Sequence, residues 1–240
     1  MRRLIAFALL LNAALLGVIA WQLVVDRDEI FKHMSIVEMP IDGKGATART
    51  IRFSGVNVQV VNGAGKTGDV SGGLKNGLGN LIVGYQELRE ADEFPATDDI
   101  NDRSGSHNLV VGSGNNYSVW GGQVVGYRNT ISGDLSTVGG GEYNTASGKY
   151  STVSGGNWNM AAAWRSVISG GCGNFIADGA SDSTVSGGYK NHVSSMASTI
   201  SGGRNNTASG SVSTIGGGNG NSASGELSLV GGGGDRRQIS

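Results

Sequence analysis

Three stretches of this chain carry residue types that could do chemistry. NGAGKTGD (62–69) contains the Gly-Lys-Thr that closes a phosphate-binding loop, where backbone N–H groups cradle phosphate oxygens and the lysine neutralises them. That loop also needs a glycine five residues before its Gly-Lys pair. Here the position is Val60, and no amphipathic helical pattern follows Thr67, so phosphate binding is not expected. The segment QELREADEFPATDDINDRSGSH (86–107) gathers Glu87, Glu90, Asp92, Glu93, Asp98, Asp99 and Asp102, an oxygen-rich set of the kind that holds Ca²⁺ in a flexible loop. Its spacing matches no EF-hand, so a solvated acidic loop is expected, with Ca²⁺ as the alternative and no other cofactor. Cys172, the one cysteine, lies in the turn GGCGN. It permits neither an internal disulfide nor a cysteine metal cluster; an intermolecular bridge is the alternative to a small turn residue.

The remaining chemistry is thin. His33, His107 and His192 show no ligand spacing, and no other metal site is expected. A polysaccharide lyase or hydrolase on a β-helix groups acidic or basic residues on one outer face. Asp134, Glu142, Lys149, Arg165, Asp178, Asp182, Lys190, Arg204 and Glu226 are instead scattered through 129–231. No catalytic residue is assigned, and the chain is expected not to be an enzyme. The charge is nearly balanced, 18 Lys and Arg against 19 Asp and Glu, with no basic run, so a nucleic-acid partner is not expected.

The elements that position these residues are set by an unusual composition. Of 240 residues 43 are Gly, far above the usual ~7%, and only two are Pro, which excludes collagen. Aromatics are 6%, too few for a conventional core. Stability must come from backbone ladders and rows of small side chains. From 108 to 231 one phrase recurs: Asn or Ser, any residue, a small apolar residue, any residue, Gly. It reads NTASGKYSTVSGG (144–156), STISGGRNNTASG (198–210) and STIGGGNGNSASG (213–225). The steps are 7 up to residue 136, then mostly alternate 8 and 7, with one 9 between 174 and 183. Short-period self-similarity defines a solenoid.

Seven or eight residues suit a short strand and a tight turn. The pairs Gly139-Gly140, Gly155-Gly156, Gly170-Gly171, Gly187-Gly188, Gly202-Gly203 and Gly216-Gly217 are expected to supply the positive φ angles of the turns. Strand side chains alternate faces, so each Asn or Ser points the same way as the apolar residue two positions on. Two half-units make one 15-residue rung. Val138 then faces Ala146, Val153 faces Ala161, Ile200 faces Ala208 and Ile215 faces Ala223 across a thin dry seam. Asn129, Asn144, Asn159, Asn174, Asn191, Asn206 and Asn221 are expected to form a structural ladder of amide hydrogen bonds, because buried polar groups need partners and identical neighbours supply them. About eight rungs ~4.8 Å apart give a body roughly 40 Å long. The fold class is all-β, a parallel β-solenoid with two short strands per rung.

These phrases, over 108–231 and more loosely 56–84, resemble the head repeats of trimeric autotransporter adhesins. The resemblance implies a left-handed β-roll, a homotrimer, and a cell-surface or secreted setting with a host matrix protein or glycan as partner. That family's coiled-coil stalk and C-terminal membrane anchor have no counterpart here. A second resemblance, on NTISGD (129–134) and the Asn-x-Val-x-Gly spacing, is to grass ice-binding proteins, whose β-rolls present ranks of outward hydroxyls. It implies an ice-binding row of Thr137, Thr152, Thr184, Thr199 and Thr214, flanked by Ser154, Ser169, Ser186 and Ser201. Val167 and Leu229 interrupt the row, and Met160, Phe175 and His192 break the one opposite.

Along the chain, Arg2 and Arg3 precede an apolar stretch from Leu4 to Val25. Small residues around Val18-Ile19-Ala20 favour a cleaved signal peptide over a signal anchor, and either exports the remainder. The expected organisation is a signal at 1–25, a connector and N-terminal cap at 26–55, irregular first rungs at 56–85, an inserted acidic loop at 86–107, regular repeats at 108–234, and a tail at 235–240. Membrane contact is expected only through an uncleaved N-terminal segment. The reading is an exported, non-catalytic adhesion or structural module, with ice binding as the alternative.

Overall fold

The computed structural model describes residues 29, 31–42, 44–67, 75–85, 87–89, 101–234 and 238–239. The expected export segment and most of the acidic loop lie outside the described residues. The chain divides into two units, Met1–Gln59 and Val60–Ser240.

In the first unit, β1 (Met34–Pro40) pairs antiparallel with β2 (Thr47–Phe53), in register from Met34↔Phe53 to Pro40↔Thr47. Asp42 organises the connection: its Oδ1 accepts the N–H of Lys44 at 2.9 Å and of Ala46 at 3.0 Å. A short acidic side chain capping its own turn is what Asp supplies at such sites.

The second unit is a parallel β-solenoid. β3 (Leu81–Val83) pairs with β4 (Leu109–Ser113), and from there each rung lays one short strand on a ten-stranded sheet and one on a nine-stranded sheet. We name them the Ser-side and Asn-side sheets after their buried polar rows. On the Ser side Thr137-Val138, Thr152-Val153, Val167-Ile168, Thr184-Val185, Thr199-Ile200 and Thr214-Ile215 stack in register. On the Asn side Thr145-Ala146, Met160-Ala161, Phe175-Ile176, His192-Val193, Thr207-Ala208 and Ser222-Ala223 do the same. Each of these strands is two residues long. β-branched residues suit them, because branching at Cβ fits a pleated, half-buried surface.

Rungs advance by 15 residues from Thr137 to Val167 and from Thr184 to Leu229. Between Val167 and Thr184 the step is 17, and the extra length, around Asp178-Gly179-Ala180, is accommodated in one turn with Ala180 buried. The apolar pairs Val138/Ala146, Val153/Ala161, Ile200/Ala208 and Ile215/Ala223 are all 0% exposed. The stack begins earlier than the repeat pattern. Residues 102–106, inside the stretch read as a loop, run beside 117–120: Tyr117 N–H donates to Asp102 O at 2.9 Å, and Ser106 N–H to Val119 O at 3.0 Å.

Rungs are held in both directions. Thr137 N–H reaches forward to Ser151 O at 2.9 Å, while Tyr150 N–H reaches back to Asp134 O at 3.0 Å. The backward donors are turn residues in the left-handed region, and most are not glycine. Tyr143 (φ 54°), Tyr150 (62°), Trp158 (57°), Arg165 (52°), Lys190 (52°), Val212 (58°) and Leu227 (59°) are among them. Glycine takes a second column in one turn, and its members correct the expected pairs. In the triplets 139–141 and 216–218 the positive angles fall on Gly141, Gly217 and Gly218, not on Gly139, Gly140 or Gly216, and in the pair 155–156 on Gly156 and not Gly155. Gly156 shows why that column admits no side chain: a Cβ there would lie 2.2 Å from Gly171 O and 2.7 Å from Asn159 Nδ2.

Candidate functional site

Two kinds of surface compete for function: the rows on the sheets and the columns on the turns. The buried rows are structural. Oδ1 of each asparagine from Asn115 to Asn206 accepts the backbone N–H of the next, at 2.8–3.1 Å. From Asn159 onward the side-chain Nδ2 also reaches the preceding Oδ1, at 3.1–3.2 Å. The rung-to-rung link is thus mixed, side chain to backbone first and amide to amide second. Nδ2 also ties down the turns: in Asn159 it donates to Gly155 O at 3.1 Å and Gly171 O at 2.9 Å. Asn129, Asn144, Asn159, Asn174, Asn191 and Asn206 are all 0% exposed and Asn221 1%, so none is available to a ligand.

Asn115 extends this ladder by one rung. A second, short ladder lies on the Ser side, where Asn108 N–H donates to Asn80 Oδ1 and Gly122 N–H to Asn108 Oδ1, each at 2.8 Å. The residue types at 108 and 115 already fit the repeat; Asn80 falls in the irregular stretch, where no period marks it. Further along the Ser side hydroxyls take over: Ser198 N–H donates to Ser183 Oγ at 3.0 Å and Ser213 N–H to Ser198 Oγ at 3.2 Å.

The outward rows are regular but mixed. Thr137 and Thr152 are register neighbours, as are Thr184, Thr199 and Thr214. Val167 sits between the two groups and Leu229 follows Thr214. The threonines are half-buried by their neighbours, whereas Ser154, Ser169, Ser186 and Ser201 beside them are exposed. On the opposite sheet Thr130 and Thr145 give way to Met160, Phe175 and His192, with the Phe175 and His192 rings 5.1 Å apart, before Thr207 and Ser222 resume.

The two turn edges carry the large exposed side chains. On the edge leading into the Asn side, one column runs Tyr127, Glu142, Asn157, Cys172, Tyr189, Arg204, Asn219 through successive bridges. Beside it stand Arg128, Tyr143, Trp158, Gly173, Lys190, Asn205 and Gly220. Tyr127 meets Tyr143 edge to face, with centroids 5.8 Å apart, and Tyr143 stacks on Trp158 at 4.5 Å and 4°. Two rungs on, Lys190 Nζ lies 5.1 Å and the Arg204 guanidinium 5.4 Å from the Tyr189 ring centre. Glu142 Oε1 accepts from Asn157 Nδ2 at 2.7 Å. The other edge holds Tyr150, Trp164 with Arg165 stacked 3.6 Å above it, and then the exposed aliphatics Met196, Val212 and Leu227. Arg165 also pairs with Asp182 at 2.6 Å.

The acidic loop contributes little that can be described. Glu87 and Asp102 are the only members of the carboxylate set among the described residues, and there Asp102 Oδ1 is engaged by Ser104 N–H and Oγ–H. Arg89, just before the undescribed stretch, donates to Gly114 O, Asn129 O and Thr130 Oγ1 at 2.7–2.9 Å. Among the described residues no three His, Cys, Asp or Glu side chains gather as a metal site. No family model and no curated protein matches the chain.

Proposed function

We propose that this chain is an exported, non-catalytic adhesive module: a rigid β-roll that presents side chains from its turn edges and assembles as a homotrimer on or near a cell surface. One observation carries the reading. Buried positions are consumed by stacking, whereas the edges hold large exposed side chains at left-handed positions that glycine would occupy without strain. Tyr150, Trp158, Val212 and Leu227 are 44%, 46%, 45% and 71% exposed. A non-glycine residue in that conformation costs about 1–2 kcal/mol. Retaining aromatic and aliphatic side chains there is consistent with an outward role. The resemblance to trimeric adhesin heads supports the trimer and the surface setting.

Light scattering on the purified solenoid, with binding to immobilised glycans and matrix proteins, tests the reading. A monomer that binds none of these surfaces refutes it.

A second reading has its own observation, the in-register threonines 137/152 and 184/199/214 beside exposed serines. Ordered hydroxyls ~4.8 Å apart along a flat face are what an ice-binding surface needs. Thermal hysteresis and recrystallisation assays decide it. Any activity must vanish in Thr152→Lys/Thr199→Lys, and its absence from the parent protein ends this reading.

A further inference from the structure

We infer that the hairpin of the first unit is the self-association element of this chain, three copies closing their β1–β2 pairs into a six-stranded antiparallel barrel. This deepens the homotrimer of the adhesive reading and rests on it.

The hairpin has two unlike faces. Strand side chains alternate, and the register Met34↔Phe53, Ile36↔Ile51 and Glu38↔Arg49 puts these six residues on one side. The other side pairs Ser35 with Arg52, Val37 with Thr50 and Met39 with Ala48, and there Arg52 Nη2 donates to Met39 Sδ at 3.1 Å. On the first side Ile36, Ile51 and Phe53 are 63%, 59% and 50% exposed. Together they leave roughly 300 Å² of apolar surface bare on one hairpin, as much as the largest patch a typical monomer keeps. Two strands alone are only marginally stable in water; a third strand or a covered face is what stabilises them. β1 and β2 form a sheet of two, so among the described residues each also has an unpaired outer edge.

Further copies of the chain supply both missing partners at once. β1 and β2 run in opposite directions, so rotation about an axis along the strands sets β1 of each copy antiparallel to β2 of the next. Three copies then close with no free edge, as small antiparallel barrels do. The interior takes Met34, Ile36, Ile51 and Phe53 from each chain. That buries roughly 900 Å² of apolar surface, near the ~1,000 Å² of a specific interface before any backbone pairing is added.

Charge selects a copy of this chain over another apolar partner. Glu38 and Arg49 share the face with the apolar patch, are exposed, and make no ion pair among the described residues. The rotation keeps each residue at its own level along the axis, so Glu38 of one copy stands beside Arg49 of the next. Six alternating charges ring one end of the barrel, each acid between two bases.

Sedimentation equilibrium of the full chain tests this. Ile36→Asn/Ile51→Asn is expected to raise the concentration for half-assembly at least tenfold. So are Glu38→Arg and Arg49→Glu, each of which makes the ring single-signed, whereas the swap Glu38→Arg/Arg49→Glu restores wild-type assembly. Mixing the two single variants relieves repulsion only between copies, and a ring of three keeps one like-charge junction. The mixture is therefore expected to assemble better than either variant alone and less well than the swap. A cooperative melt of the solenoid confirms that each variant is folded. No gain on mixing confines the charge effect to one hairpin and overturns the barrel, as does full recovery in a two-chain species. If wild type and variants are all trimers, the barrel falls and the homotrimer stands on another contact; a monomeric wild type ends both. Loss of binding to phosphatidylcholine vesicles in Ile36→Asn/Ile51→Asn at unchanged mass assigns the face to a lipid surface and also overturns the barrel.

Discussion

Truncating one ladder amide gives the sharpest test of what holds the rungs together. In Asn159→Ala the backbone N–H of Asn174, a residue with 0% exposure, loses its acceptor, and the part-buried Gly155 O loses its donor. Gly171 O is less affected, because it also accepts from Asn157 N–H at 3.0 Å. Each buried group left unmade costs about 1–3 kcal/mol, so the variant should lose about 2–5 kcal/mol. At about 2–4 °C per kcal/mol for a unit of this size, its melting midpoint should fall by about 4–20 °C. Asn157→Ala is the control, since its amide meets the exposed Glu142 carboxylate and the weakly bonding Cys172 thiol, and it should cost no more than about 0.5 kcal/mol.

Asn159→Asp then separates donor from acceptor. The carboxylate keeps the bond from Asn174 N–H but faces Gly155 O, Gly171 O and Asn144 Oδ1, which all accept. Its protonated form is therefore favoured, and its folded-state pKa rises above the unfolded value of about 3.9. The native state then holds more protons than the unfolded one above that pH, so stability falls as pH rises. The variant should be closest to wild type near pH 3.5 and lose stability continuously toward its raised folded pKa. Circular-dichroism melts across pH 3–8 read both effects. A melt of Asn159→Ala within 2 °C of wild type, or a flat pH profile for Asn159→Asp, refutes the ladder as a source of stability.

Three further outcomes follow from the packing. Val212→Gly should raise the melting midpoint, because relief of a β-branched left-handed residue, about 1–3 kcal/mol, exceeds the about 0.5–1 kcal/mol entropy cost of glycine. Gly171→Ala should abolish or severely weaken folding in the same assay, since its Cβ would lie 2.2 Å from Gly188 O. Ile200→Ala should cost about 2–5 kcal/mol in denaturant unfolding, whereas Thr199→Ala, one residue away but facing outward, should cost under about 1 kcal/mol.

The period, the paired strands and the inward rows were legible because each has a residue-type signature. Val138 and Ala146 must be small and apolar to close the seam, and Asn144 must be an amide to satisfy a turn and the next rung together. The left-handed turn column was not legible. Residues as unlike as Arg165, Val212 and Leu227 share one φ there, because the constraint comes from a backbone N–H reaching the previous rung and leaves the outward side chain unspecified. Glycine triplets hid the turn for a related reason: where three glycines adjoin, composition does not say which of them bend, Gly141 alone in one triplet and Gly217 with Gly218 in the other. Residues 102–106 read as loop because they lack the Asn-x-Val phrase, although their backbone pairs like any other rung. At the edges the aromatic residues are plain in the one-letter string, but their grouping is not. Tyr143 and Trp158 are fifteen residues apart, and only the 15-residue advance makes them stacking partners.

The spacing of the rungs also has a mechanical meaning. A 15-residue turn rises only ~4.8 Å along the axis, yet stretched out it spans about 50 Å. Tension applied along the axis pulls in line with the hydrogen bonds between rungs and opens them one rung at a time from an end, since each rung touches only its neighbours. Every rung released lengthens the molecule about tenfold over its folded rise while the remainder stays intact. A tether made of such turns yields in small steps and stays attached under a load that would snap a stiffer link.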